Sequence, residues 1–125
     1  MRRDYAAWFG FAVALGIAAN CVLAIPGMIW PNAVLELVGA APDLEHPIWP
    51  AAASMLLILL SIFYIPGAID PYRYTATAWI SLLARAAGAW FFLVYWRHEF
   101  PLIGYIDLFF LIIETPLLIL ALRAR

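Results

Sequence analysis

The sequence predicts an all-α protein, an antiparallel four-helix transmembrane bundle with a short interfacial helix between helices 1 and 2. Three observations carry this prediction. The 125 residues are 67% hydrophobic and 12% charged, with a mean hydropathy of +0.95, whereas soluble domains run about 45–50% apolar and about 25% charged. Four apolar stretches, 6–29, 51–69, 76–96 and 102–122, each approach the ~20 residues a helix needs to cross a hydrocarbon core about 30 Å thick. Little chain is left over, so residues 1–125 read as a single integral-membrane domain.

The first span follows Met1-Arg2-Arg3, which imitates a secretory signal. Its apolar run is too long for a signal core, and no small-x-small site leads into polar sequence. Asn20 precedes Cys21 where a lipoprotein site needs a small residue, so this lone cysteine reads as a packed apolar thiol. Ala12, Gly16 and Asn20 share one face, a spacing that lets helices approach closely. Ile25-Pro26-Gly27 closes the span, and Ile65-Pro66-Gly67 closes the second in the same way. Proline lacks the helical donor and glycine tolerates exit conformations, so the repeat reads as shared helix-ending grammar.

Between these spans, residues 31–38 are mostly apolar, begin at Pro31 and stop before Gly39. That pattern suits a short helix lying at the interface. Pro42, Pro47 and Pro50 then favour extended backbone. The remaining connections, 70–75 and 97–101, are short and force antiparallel neighbours. Trp8, Trp30, Trp49, Trp79 and Trp96 fall near span boundaries, as an aromatic belt requires.

Orientation follows from arginine, because the chain has no lysine. Arg2, Arg3, Arg73, Arg123 and Arg125 share one side, and only Arg97 lies on the other, with Glu36, Asp43, Glu45 and Glu99. The positive-inside rule places both termini in the cytoplasm. The net charge of −1 gives no reason to expect a nucleic-acid partner.

Arg85, Asp107 and Glu114 are ionisable residues inside the apolar spans. A charge at that depth costs ~3 kcal/mol or more, so such residues pair or serve a function. Counting 1.5 Å per residue puts Arg85 about 14 Å and Glu114 about 12 Å from the terminal edge, which predicts an Arg85–Glu114 ion pair. Asp107, Ser54 and Asn20 fall at about 21–22 Å, leaving Asp107 on a separate level without a cationic partner. Asp107 and Glu114 are seven residues apart, as are Ser54 and Ser61, so each pair shares a helix face. Four helices thus converge on one polar stripe, which either holds the helices together or lines a cavity for a lipophilic ligand, a quinone head or a proton. Pro116 frees the carbonyl of Ile112 close to Glu114.

His46 and His98 lie in the connections, each beside a glutamate, and are the candidates for a metal or a b-type haem. Their loop positions, flanked by proline and aromatic residues, favour interfacial histidines without a ligand, so no metal site and no cofactor is predicted. No nucleophile elbow, phosphate loop, Cys-x-x-Cys or His-Glu-x-x-His occurs.

Three strings carry a resemblance: Pro-Asn-Ala-Val-Leu-Glu-Leu-Val-Gly at 31–39, Asp-Pro-Tyr-Arg-Tyr at 70–74, and Leu-Leu-Ala-Arg at 82–85. In these and in its layout the chain resembles the DoxX-like group of small four-helix bacterial membrane proteins. The resemblance implies an inner-membrane protein, some relatives being named as subunits of thiosulfate-oxidising, quinone-reducing complexes, and it assigns no catalytic residue. The expected function is a non-catalytic accessory or interaction subunit of a larger, redox membrane complex, with a membrane protein or a second copy as partner. The alternative is a ligand-binding, transport or enzymatic protein. There Arg85 would hold an anionic or carbonyl group, Glu114 would set its charge, and Asp107 would bind or shuttle a proton.

Overall fold

A computed structural model describes residues 2–37, 46, 48–95 and 101–123. Five α-helices follow in order: α1 (Arg2–Ile29), α2 (Pro31–Leu37), α3 (Ile48–Ile69), α4 (Thr75–Trp90) and α5 (Pro101–Arg123). A π-helical turn, Phe91–Tyr95, prolongs α4. The spans around α1, α3, α4 with its π turn, and α5 are long and apolar enough to cross a membrane. α1 packs against α3 and α5, and α4 packs against α5 and α3. The result is a ring of four antiparallel helices, as the apolar runs and short connections predict.

The short helix α2 begins at Pro31, which can head a helix because its missing donor has no intrahelical partner there. Its expected end at Gly39 lies outside the described residues. Trp8, Trp30, Trp49 and Trp79 are all exposed, as a belt at a lipid–water boundary requires, and Trp96 lies outside the described residues.

Glycine in the two Ile-Pro-Gly repeats acts differently from the exit role expected of it. Pro26 and Pro66 sit inside α1 and α3, and each helix runs on for another turn. Gly67 is a contact point, because a Cβ there would stand 2.8 Å from the Ala78 nitrogen and 3.0 Å from its Cα. Gly27 likewise leaves room for the Ser54 hydroxyl. Both glycines therefore bring helices together within regular helical backbone.

The α3–α4 connection is held by Asp70, whose Oδ1 accepts from the backbone N–H groups of Tyr72 and Arg73, both at 3.1 Å. Such a local side-chain turn suits an Asp-Pro sequence. Beside it, Phe9, Val13, Tyr64, Ala78, Leu82 and Leu118 form the buried core. Gly10 packs on the Ala68 carbonyl there, so the bundle is closed at the end carrying the chain termini. From the Gly67–Ala78 contact α3 and α4 run toward the other end of the bundle, where they flank a cavity.

Candidate functional site

Arg85 is the centre of the polar interior. It sits on α4 at 3% exposure, and Nη1 donates to Asp107 Oδ1 at 2.7 Å and to Asn20 Oδ1 at 3.1 Å. Asn20 Nδ2 donates to Ser61 Oγ at 3.0 Å, and Ser61 Oγ donates to the Leu57 carbonyl at 2.9 Å. The guanidinium carbon lies 4.9 Å from the centre of the Phe110 ring, a cation–π contact. One continuous network thus joins α1, α3, α4 and α5, as the convergent stripe predicts.

The partner of Arg85 is not the one that depth counting assigned. Its ion pair is with Asp107, whereas Glu114, 2% exposed, lies on the side of Nη2, next to Gly16. A Cβ on Gly16 would stand 2.5 Å from Arg85 Nη2 and 3.4 Å from Glu114 Oε1, so both groups press on the same bare stretch of α1. The correction has a physical cause. Gly88 faces Asp107 so closely that a Cβ there would collide with its Oδ2. This contact puts Asp107 level with Gly88, about 4.5 Å along α4 from Arg85. Arg85 is therefore set between the two acids and reaches the outer one. An error of one turn in the assumed span edges was enough to exchange partners.

Asn20, Ser54, Arg85 and Asp107 all line a cavity of about 650 Å³, within the roughly 300–1,000 Å³ range of small-molecule sites. Ser61, in the network, and Glu114, beside Arg85 Nη2, are not among the lining residues. The walls are predominantly apolar, and α2 contributes Pro31, Val34 and Leu35 at the end away from the core. Along α3 the lining runs from Trp49 to Tyr64, about 22 Å of helix.

Of the lining residues not singled out in the sequence, three shape the site. Tyr64 was legible, since Ser54, Leu57, Ser61 and Tyr64 recur at helical spacing on one face. Phe92 owes its place to the π-helical turn, which also stacks Trp90 on Tyr95 with ring centres 5.3 Å apart. That i, i+5 pairing is the π-helical period, and such turns concentrate at functional sites. Gly88 lies among Ala86, Ala87 and Ala89 on α4. No sequence signal marks it as the seat of Asp107.

His46 is exposed, His98 lies outside the described residues, and among the described residues no three His, Cys, Asp or Glu side chains gather as metal ligands. Cys21 is half-buried on α1. No protein family, curated protein or solved structure matches this chain. The fold and site define a small polytopic membrane protein with a polar-ended cavity inside its bundle.

Proposed function

We propose that this protein binds an amphiphilic small molecule within the membrane, its apolar part along α3, α4 and α5 and its polar end at the Asp107–Arg85–Asn20 cluster. One observation carries the reading: the cavity of about 650 Å³ has apolar walls and ends on an ion pair and an amide. A network serving only to hold helices together has no need of adjoining space, and interhelical hydrogen bonds in membranes contribute only about 0.6–2 kcal/mol. Apolar walls with a few convergent polar groups are the ordinary composition of a ligand site. The arginine bias supports cytoplasmic termini in an inner membrane, and kinship with the DoxX-like group remains part of the proposal.

The test is mass spectrometry of small molecules retained by protein purified in mild detergent or in lipid nanodiscs. Ala53 lines the cavity at its exposed edge, so Ala53→Trp can fill the space without displacing helix backbone. A molecule retained by the unaltered protein and lost from Ala53→Trp is the expected result. Identical small-molecule content in both proteins refutes the reading.

A further inference from the structure

The cavity's polar end also indicates which head group it takes, on the premise that the cavity is a ligand site. Arg85 looks like an anion receptor in the sequence, but its donors are engaged or turned away. Nη1 is spent on Asp107 and Asn20, Nη2 lies in the Gly16 notch beside Glu114, and the guanidinium face rests on Phe110. At 3% exposure it offers little to a ligand. Asp107 is the reverse case. Its side chain is 16% exposed, Arg85 engages Oδ1, and among the described residues Oδ2 accepts no hydrogen bond. This free acceptor sits at the cavity wall beside Gly88.

Charge gives the same answer. Arg85 and Asp107 are the charged residues among the cavity's lining, and they neutralise each other. An anionic head would therefore face the Asp107 carboxylate with Arg85 only 3% exposed, whereas a cationic head meets the open oxygen of Asp107. Tyr64 and Phe92 add aromatic rings to the wall, surfaces that attract cations through their π faces. We infer that the ligand is a lipophilic amine, bound as its ammonium ion with an N–H donating to Asp107 Oδ2.

The experiment is displacement of the neutral fluorophore N-phenyl-1-naphthylamine from protein in zwitterionic-lipid nanodiscs, with empty nanodiscs subtracted. The competitors are dodecylamine hydrochloride, dodecanol and sodium dodecyl sulfate, which share a chain and differ in head. Dodecylammonium should displace the fluorophore at concentrations at least about tenfold lower than dodecyl sulfate, with dodecanol between them. Asp107→Asn should shrink that gap to about twofold while the fluorophore still binds. Dodecyl sulfate competing as well as the amine overturns the inference, as does a gap unchanged in Asp107→Asn. Should Asp107→Asn not fold, the ranking of the three heads on the unaltered protein decides. Failure of the underlying cavity reading looks different: the fluorophore would not bind, or would bind Ala53→Trp equally well.

Discussion

Replacing the charged residues singly and in pairs distinguishes the two acids that flank Arg85. The set is Arg85→Met, Asp107→Asn, Glu114→Gln and the two doubles that include Arg85→Met. Removing one member of a buried ion pair costs about 3–5 kcal/mol, mostly because the other charge is stranded. The informative quantity is the coupling left after both single effects are subtracted. Arg85 donates to Asp107 at 2.7 Å with side-chain exposures of 4% and 16%, and a hydrogen bond to a charged group contributes about 1.5–3 kcal/mol. Glu114 shares the Gly16 notch with the guanidinium but adds no ion pair, so its coupling is electrostatic only. The Arg85–Asp107 coupling should therefore exceed the Arg85–Glu114 coupling by about 1–2 kcal/mol. Reversible unfolding in bicelles, followed by circular dichroism, provides the free energies. A larger coupling to Glu114 would refute the assignment and restore the pairing that depth counting suggests.

Other substitutions probe separate parts of the bundle. Asn20→Leu removes both the acceptor of Arg85 and the donor to Ser61, and should lower unfolding free energy by about 1–3 kcal/mol in the same bicelle titration. Gly67→Val places side-chain atoms against the backbone of Ala78, which cannot give way. Overpacking of about 1–3 kcal/mol should appear as a lowered melting temperature, to a greater extent than for Gly67→Ala. Asp70→Ala removes the acceptor for the Tyr72 and Arg73 amides, and a loss of about 0.5–2 kcal/mol is expected, with faster hydrogen exchange confined to residues 70–74.

The fold was legible because membrane burial writes itself along the chain. Uninterrupted apolar length marks each span, and proline or short polar segments mark the turns, so the predicted spans fall within a few residues of α1, α3, α4 with its π-helical turn, and α5. Asn20, Ser61, Arg85, Asp107 and Glu114 were also legible as one interior, since a polar group in an apolar run must turn inward. Partner choice was not. Two acids seven residues apart straddle one arginine, and the register between α4 and α5 depends on the bare surfaces of Gly88 and Gly104. A Cβ on Gly104 would strike Leu93. Small residues permit close approach without saying which neighbour approaches. The cavity was hidden for a related reason. It is a gap lined by all five helices and by Phe92 of the π-helical turn, and neither the gap nor the turn has a period in the sequence. Without it, the absence of catalytic motifs favoured an accessory role. The space beside Asp107 shifts the reading toward a ligand.

Photolabelling locates such a ligand most directly. An alkylamine carrying a diazirine next to its head group, irradiated with the protein in nanodiscs and mapped by peptide mass spectrometry, reports which residues surround it. Labelling concentrated at Asp107, Gly88 and Tyr64, competed by dodecylamine and lost in Ala53→Trp, is the outcome expected of an amphiphile held inside the bundle. Labelling spread over outward-facing residues such as Leu56 and Phe63, and unchanged by Ala53→Trp, would contradict it.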